Sequence, residues 1–285
     1  MLNPPSGFIQ NSNNTPFRTT IGEGNPDPAN FSPALGIELD MSNRALRSLE
    51  LFGSDDSITE EEFYTYKFDD RYSADSDLPG YIQQILSAPL PDDPDVQQAI
   101  HILRDWDLRA AEESVGTSVT ILMLHFVNES GAVSFNPSML VAHPVSTDVL
   151  MTSLVKAVEV LIEHFGRVDV PWQEINRLRR GDVDLGLGGA PDVLHAVYGE
   201  LGEDGRFRGI AGDSYIMLIT WLPDGLVRSR SLHQYGSATL DEQSPHYADQ
   251  APLFVQRKLK QVWFDEADIW ANLEMAYRPG EEGDN

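Results

Sequence analysis

Three asparagines within four positions near the start of the chain are the residues best suited to chemistry. Asn11, Asn13 and Asn14 follow the apolar triplet at residues 7–9 and precede a Pro-Phe pair at residues 16–17. A carboxamide offers two N–H donors and an acceptor oxygen, and leaving these groups without partners costs free energy. A cluster of this kind needs something to bind, so we expect that the sequence begins within an active site.

A second set of candidates has the composition of a serine hydrolase. Residues 212–214, Gly-Asp-Ser, are similar to the nucleophile block of GDS-type esterases, and Asp192 and His195 are spaced like their Asp-x-x-His pair. In those esterases, however, the serine block comes first. Ser214 also precedes an apolar strand pattern instead of a helix, which removes the context of a nucleophile elbow. The favoured interpretation is a turn in which Asp213 precedes a strand.

The loop at residues 244–250, Ser-Pro-His-Tyr-Ala-Asp-Gln, combines a hydroxyl, an imidazole, a phenol, a carboxylate and an amide. Such a set can satisfy its own hydrogen bonds and fix the loop against a site. His246 could alternatively act as a general base, but no nucleophile in the sequence pairs with it. We therefore predict a structural polar network in this loop.

No metal and no cofactor are expected from the sequence. The chain has no cysteine, which excludes thiolate catalysis, disulfides and cysteine-ligated metals. The seven histidines show no close metal-binding spacing, and the acidic stretch at residues 55–77 lacks the pattern of a calcium loop. The glycine-rich stretch at residues 181–189 lacks the Lys-Ser/Thr of a phosphate-binding loop. We interpret these stretches as a solvated surface and as turns.

The charge of the chain limits its partners. With 45 acidic against 20 basic residues, the formal net charge is −25. Phosphate backbones and anionic membranes repel such a surface, so neither a nucleic acid nor a membrane is an expected partner. No apolar run is long enough for a membrane span, and Met1 does not begin a signal peptide. The sequence does not determine the cellular compartment, since a signal peptide in a preceding segment would direct the protein to the periplasm or the medium.

Apolar periodicity predicts an α+β protein with a helical middle and strands near both ends. Helices are predicted at residues 42–52, 93–107 and 146–165. Strands are predicted at residues 7–9, 215–221 and 227–232. Two further stretches are predicted as a buried helix or strand (114–127) and as a mostly helical segment (254–277). No linker divides the chain, so residues 1–285 are predicted to form one domain.

Several blocks of sequence, taken together, resemble the penicillin acylase family of N-terminal-nucleophile hydrolases. The blocks are GFIQNSNNTP (7–16), SNRALRSL (42–49), LRDWD (103–107), VPWQEINRL (170–178), GG (188–189), GDSY (212–215), and YGS (235–237) leading into SPHYADQ (244–250). They are similar to the C-terminal part of the β chain of acyl-homoserine-lactone and aculeacin-type acylases. Gln173 and the YGS block depart from the residues usual in the family. The resemblance implies part of an αββα sandwich.

The resemblance also implies a mechanism and two site residues. In this family a serine or another nucleophile at the β-chain N-terminus attacks the amide carbonyl, and its own α-amine acts as the base. An asparagine of the Asn-x-Asn block donates to the oxyanion; it corresponds here to Asn13, with Asn11 as the fallback. An arginine supports this asparagine, and Arg44 is the best match, with Arg47 as the fallback.

The nucleophile that the resemblance requires does not stand at residue 1, which is Met. We therefore expect a single incomplete domain that is inactive alone and exposes apolar sheet edges. Its expected partners are the missing N-terminal part of the enzyme and a small N-acyl substrate, such as a penicillin, an acyl-homoserine lactone or a lipopeptide. Two alternatives stay open: a non-catalytic remnant or binding module on the same scaffold, and an independent hydrolase that uses Ser214 or His246.

Overall fold

The protein has an α+β architecture in which most of the helices precede the strands. A computed structural model describes residues 3–131, 144–238, 240–278 and 280, so His143 lies outside the described residues. The helices are α1 (Asn43–Gly53), α2 (Glu60–Lys67), α3 (Leu78–Ser87), α4 (Pro94–Asp105), α5 (Val115–Glu129), α6 (Thr147–Phe165), α7 (Trp172–Ile175), α8 (Ala251–Val255) and α9 (Glu266–Ala271). The strands are β1 (Asn176–Arg180), β2 (Val183–Gly186), β3 (Val197–Leu201), β4 (Phe207–Gly212), β5 (Tyr215–Trp221), β6 (Val227–His233) and β7 (Lys260–Val262).

Side chains that accept backbone N–H groups determine where the predicted helices begin. Ser42, Asp93 and Ser146 each accept an N–H from the first turn of α1, α4 and α6, respectively. Pro94 follows Asp93 at a helical position where an N–H is not needed. Gly166 ends α6 with a φ of 69°, a left-handed conformation that favours glycine. The three predicted helices are confirmed.

Helices α3 to α6 surround the larger of two hydrophobic cores. Every residue of α5 from Gly116 to Leu124 is buried, so the stretch predicted as helix or strand is a central helix. Two of its hydroxyls have internal partners: the Oγ1 of Thr117 donates to the carbonyl oxygen of Arg109 at 2.8 Å, and the Oγ of Ser118 donates to that of Val170 at 2.7 Å. The buried Oγ1 of Thr120 has no partner among the described residues. Trp172, at the start of α7, is fully buried in the same core. None of the helices in the described part of the chain has the length and apolarity needed to cross a membrane.

Two sheets follow helices α1 to α7. The four-stranded sheet has the order β2-β1-β4-β3, in which β1 and β4 are parallel and the other neighbours antiparallel. The three-stranded sheet has the order β5-β6-β7 and is antiparallel throughout. The predicted β5–β6 hairpin is confirmed, with Gly225 at a φ of 84° in its turn. A smaller core joins the two sheets through Leu178 of β1, Ile216 of β5 and Leu232 of β6.

The strand predicted at residues 7–9 is wrong. Before α1, the described residues form only two short 3₁₀ turns, at Pro28–Asn30 and Pro33–Leu35, and no strand. Gly7 has a φ of 79°, outside the extended region. Nearby side chains bind the backbone of this segment; the Oδ1 of Asn25, for example, accepts the N–H of Thr19 at 2.9 Å. Side-chain amides therefore bind the backbone here in place of a neighbouring strand. The named strands all lie between residues 176 and 262.

The mostly helical segment predicted at residues 254–277 is also wrong. Lys260–Val262 forms β7 and pairs with β6. Asp265 then accepts an N–H at the start of α9, which is only six residues long. Apolar side chains that suggested a longer helix remain outside any core; Trp270, for example, is 59% exposed. Pairing with β6 therefore prevails over the helical pattern of this stretch.

Gly116 leaves space for the ring of Trp106, and we expect Gly116→Ala to destabilise the fold. A Cβ at this position would lie 2.3 Å from a ring atom of Trp106. Relief of this overlap is expected to lower the free energy of unfolding by about 1–3 kcal/mol, which denaturant titration followed by circular dichroism would measure. Gly80→Ala is the matched control, because a Cβ on this helical glycine meets nothing within 4 Å. Equal stabilities of the two variants would contradict the packing of Trp106 against α5.

Candidate active site

The Asn-rich loop is shaped by its own side chains. The Oδ1 of Asn11 accepts the backbone N–H of Asn13 at 2.9 Å, and the Oδ1 of Asn14 accepts the N–H of Ser12 at 2.9 Å. These turns hold Asn13 at a φ of 58°, a left-handed conformation that asparagine tolerates better than most residues. The three asparagines therefore differ in role. The side chains of Asn11 and Asn14 fix the backbone of the loop, and the side chain of Asn13 is left exposed.

This loop is attached to the N-terminus of α1. The Oγ of Ser42 donates to the carbonyl oxygen of Ser12 at 3.1 Å and accepts the N–H of Ala45 at 3.2 Å. The N–H of Thr15 donates to the carbonyl oxygen of Asp40 at 3.0 Å. Since Ser42 caps the helix and binds the loop at once, the position of the loop is tied to the first turn of α1.

A hydrogen bond joins the two predicted site residues, Asn13 and Arg44. The Nη1 of Arg44 donates to the Oδ1 of Asn13 at 3.3 Å. This contact orients the carboxamide so that its oxygen faces the guanidinium. The Nδ2 of Asn13 donates to no group in the described part of the chain, and Asn13 is exposed. The side chain therefore keeps both amide N–H groups available for a ligand.

Arg44 is itself fixed by Asp192, a carboxylate with no exposed side-chain surface. The Oδ1 of Asp192 accepts from the Nε of Arg44 at 3.3 Å and from its backbone N–H at 3.4 Å. The Oδ2 accepts the N–H of Asn43 at 2.8 Å. An anion at the first turn of a helix is stabilised by the helix dipole as well as by these bonds. Asp192 thus fixes both the end of α1 and the arginine that α1 carries.

Burial raises the pKa of Asp192 from 3.8 to about 6, although the N–H groups of Asn43 and Arg44 and the charge of Arg44 favour its ionised form. Desolvation of a carboxylate disfavours the charged state, and here it exceeds the opposing hydrogen bonds. Asp192 is therefore half protonated near pH 6, and the ion pair with Arg44 is complete only well above this pH and weakens as the pH falls through it.

A cavity of about 350 Å³ adjoins this arrangement. Asn11, Arg44 and Lys67 are among its polar lining residues, and Ile9, Phe52, Phe63, Tyr66, Leu194 and Leu218 supply the apolar part. Three of its aromatic residues form a cluster, with the ring of Phe52 5.9 Å from that of Phe63 and 5.7 Å from that of Tyr66. The cavity therefore combines an apolar wall with amide and cationic groups on one side.

Lys67 is paired at the wall of this cavity. Its Nζ donates to the Oδ2 of Asp213 at 2.7 Å and to the carbonyl oxygen of Leu194 at 2.6 Å. Although burial raises the pKa of Asp213, the charge of Lys67 and the nearby His195 hold it below its ordinary value. Burial lowers the pKa of His195, whose Nδ1 lies 3.6 Å from the Asp213 carboxylate and has no hydrogen-bond partner among the described residues.

These contacts disfavour the esterase-like interpretation of residues 192–214. The carboxylate of Asp192 binds α1 and Arg44, and His195 is buried between the rings of Phe68 and Phe254. Ser214 comes directly before β5, and no helix follows it. Asp192 and His195 therefore have separate structural contacts and do not form a catalytic pair.

The two fallback residues are also placed by the structure. The Nε and Nη2 of Arg47 donate to Asp69 at 3.0 and 2.9 Å, and its Nη1 binds Glu50. Its donors are therefore occupied by carboxylates. Asn11 differs, because it lines the cavity and only its oxygen is used within the loop.

The polar network predicted at residues 244–250 is confirmed. The Nδ1 of His246 and the Oδ2 of Asp249 lie 2.9 Å apart, and this hydrogen bond raises the pKa of the exposed His246. The Oε1 of Gln250 accepts the N–H of His233 at 3.0 Å. The guanidinium of Arg180 lies 4.1 Å from the ring centre of Tyr247. The loop is thus fixed from within and against β1 and β6.

Sequence reasoning missed the function of Asp192 and Lys67 in the site. By its spacing alone, Asp192 is similar to half of an esterase-like pair, and Lys67 lies in the acidic stretch at residues 55–77, whose composition indicates a solvated surface. Their partners are distant along the chain: Arg44 is 148 residues from Asp192, and Asp213 is 146 residues from Lys67. No local spacing signals such pairs.

The sequence model described as penicillin amidase matches residues 1–271. Among solved structures, a thermostable penicillin G acylase from Alcaligenes faecalis is similar, with 14% sequence identity and a TM-score of 0.49. The match covers 97% of this chain and 57% of that chain, so this chain spans less than two thirds of its length.

Asp192 is expected to give the stability a pH dependence that an uncharged variant lacks. Its pKa is raised from 3.8 to about 6, so the folded protein binds this proton more tightly than the unfolded chain. The stabilisation is complete below the lower pKa and is lost as the pH rises through the upper one, a change of roughly 3 kcal/mol.

We expect the free energy of unfolding of the wild type, relative to Asp192→Asn, to fall by this amount as the pH rises from well below 3.8 to well above about 6. Denaturant titrations of both proteins across this range measure the difference, and subtraction removes the pH dependence of the other groups. A difference that does not vary with pH would show that the folded and unfolded pKa values are the same.

Proposed function

The chain belongs to the penicillin amidase family, and on this premise we propose that it supplies the oxyanion-binding side of an N-acyl amide hydrolase. Asn13 is the proposed oxyanion donor, and Arg44 is the residue that supports it. The observation that carries the proposal is the hydrogen bond from the Nη1 of Arg44 to the Oδ1 of Asn13 at 3.3 Å.

The proposed role suits the chemistry of both groups. A carboxamide N–H donates without titrating, so it can bind a developing oxyanion at any physiological pH. The guanidinium at the Oδ1 draws electron density from the amide and strengthens its N–H donors. Because Asp192 binds the Nε of the guanidinium whose Nη1 binds Asn13, the amide is oriented before a substrate arrives.

In the proposed reaction, the hydroxyl of a nucleophile attacks the carbonyl carbon of the substrate amide. The O–C bond forms while the hydroxyl proton passes to the α-amine of the nucleophile, and the carbonyl oxygen becomes the anion that Asn13 binds. The C–N bond then breaks, and the proton passes from the α-ammonium to the leaving nitrogen. Water attacks the resulting ester, which releases the acid and restores the hydroxyl.

The nucleophile is proposed to come from a segment outside the printed sequence. Ser12 and Ser48 line the cavity, but both are internal residues and have no free α-amine. In the described part of the chain, no imidazole is hydrogen-bonded to either hydroxyl. The cavity therefore presents amide donors without an activated nucleophile, which supports a divided site.

The proposed substrate is a small N-acyl amide. The cavity volume of about 350 Å³ lies within the range of small-molecule sites. Its rings, from Phe52, Phe63 and Tyr66, would contact an apolar part of the substrate, while the amide being cut lies toward Asn13. Penicillins, acyl-homoserine lactones and lipopeptides all meet this description.

The chain alone is expected to release no acid from N-acyl amides. Purified protein would be incubated with a penicillin and with an acyl-homoserine lactone, and free acid would be measured against a blank without protein. The physical reason is the lack of a base-activated nucleophile at the cavity. Acid release above the blank would overturn the divided site, and a serine-directed inhibitor would then locate the nucleophile.

In the active enzyme, assembled with the nucleophile-bearing segment, Asn13→Ala is expected to lower kcat by about 10²–10³. Loss of an oxyanion donor acts on the transition state, so KM should change little. Asn30→Ala is the matched control: it removes an exposed asparagine of the same N-terminal region whose side chain forms no hydrogen bond among the described residues. If Asn11→Ala loses activity instead, the donor is Asn11, and the proposed role of Asn13 is wrong.

A further inference from the structure

One face of α1 forms a wall of the cavity beside the candidate site. Arg44, Ser48 and Phe52 follow one another at intervals of four residues, and all three line the cavity. Residues four apart lie on the same face of a helix, about 6 Å from one another along its axis. The wall therefore changes along α1 from a guanidinium through a hydroxyl to an aromatic ring.

Ser48 carries a hydroxyl that has no hydrogen-bond partner among the described residues. The residue is only 3% exposed and lines the cavity, so its remaining accessible surface lies there. The Oγ1 of Thr120 is enclosed by the protein without a partner, whereas the Oγ of Ser48 is reached from the cavity. Ser48 therefore offers a donor and an acceptor to a molecule that fills this cavity.

Lys67, on α2, keeps one N–H donor without a hydrogen bond at the same cavity. An ammonium carries three N–H groups. Two of them donate to the Oδ2 of Asp213 and to the carbonyl oxygen of Leu194. The ring centre of Phe68, 5.6 Å from the Nζ, attracts the charge without accepting a conventional hydrogen bond. A ligand that accepts a hydrogen bond can therefore use the third N–H group.

The lining of the cavity supplies mostly hydrogen-bond donors. Besides Ser48 and Lys67, the Nη2 of Arg44 forms no hydrogen bond in the described part of the chain. The carboxylate of Asp213 is engaged by Lys67, and the Oε1 of Gln10 is enclosed by the protein. The lining therefore favours a ligand that accepts hydrogen bonds.

We propose that Ser48 and Lys67 bind a carboxylate of the substrate, so that the preferred substrates are N-acyl amides that carry a free carboxyl group. A carboxylate has two oxygens, which can accept from a hydroxyl and an ammonium together, and the bond to the ammonium is charge-assisted. The inference rests on the proposed function and narrows its substrate class. Acylated amino acids and penicillins meet this description, whereas acyl-homoserine lactones, which are neutral, do not.

Binding of matched acids and amides to the purified protein tests the proposal. N-phenylacetylglycine carries its carboxylate on the amine side of the amide bond, and N-benzylsuccinamic acid carries it on the acyl side. Each is compared with its primary carboxamide by isothermal titration calorimetry at neutral pH. At least one acid is expected to bind about 10-fold tighter than its carboxamide, because it gains a charge-assisted hydrogen bond. The acid that does so shows on which side of the amide bond the carboxylate lies.

Two variants are expected to reduce this preference. Ser48→Ala suits a helix and leaves every charge in place, and it should weaken binding of the preferred acid about 3–10-fold. The double variant Lys67→Met/Asp213→Asn removes both charges of the ion pair together, so that no carboxylate is left unpaired. With this variant the acid and its carboxamide should bind with equal affinity. Lys258→Met is the matched control, because Lys258 is an exposed lysine outside the lining of the cavity.

No binding, or equal binding of both acids and their carboxamides to the wild type, overturns the proposal. A preference that either cavity variant keeps in full, or that Lys258→Met loses, overturns it as well. Amine release from the same compounds is measured on the enzyme assembled with the nucleophile-bearing segment. Hydrolysis without a preference for an acid would leave the proposed function standing and remove only this inference. The expected preference in binding without hydrolysis would do the reverse.

Discussion

The carboxylate of Asp192 is the point on which the candidate site depends. It accepts two backbone N–H groups from the first turn of α1 and the Nε of Arg44. Asn43 reinforces the junction, since its Nδ2 donates to the carbonyl oxygen of Asp192 and its Oδ1 accepts the N–H of Ser73. Three distant parts of the chain therefore meet at one buried anion, and the orientation of Asn13 is set by the arginine that this anion holds.

Charge around the cavity is balanced locally, although the whole chain is strongly acidic. Arg44 is paired with Asp192, and Lys67 with Asp213, while these carboxylates are largely or fully buried. Arg44, Lys67 and Asp213 all line the cavity, whereas Asp192 lies outside its lining. Because Lys67 neutralises Asp213 and Arg44 is paired with the buried Asp192, the net charge of −25 is offset locally where an anion would develop.

Features encoded by neighbouring residues could be predicted from the sequence, and features that depend on distant contacts could not. The caps at Ser42, Asp93 and Ser146 are local, and so is the β5–β6 hairpin; all were recognisable from short patterns. The apolar pattern of residues 7–9 is typical of a strand, but it does not include the asparagine side chains that bind the nearby backbone. Residues 254–277 looked helical because the pattern does not include pairing with β6. Asn13 and Arg44 were proposed through a family resemblance; their contact is a property of the folded chain.

The Asn-rich loop has a consequence for the way in which the site is assembled. Its turns join residues only two positions apart, so they can form within the time needed to close a short loop, well under a microsecond. The contact between Arg44 and Asp192 spans 148 residues, so its formation must close a far longer loop at a higher entropic cost. The candidate site would thus form in two steps, with the shape of the loop present early and the orientation of Asn13 set later, when Arg44 meets Asp192.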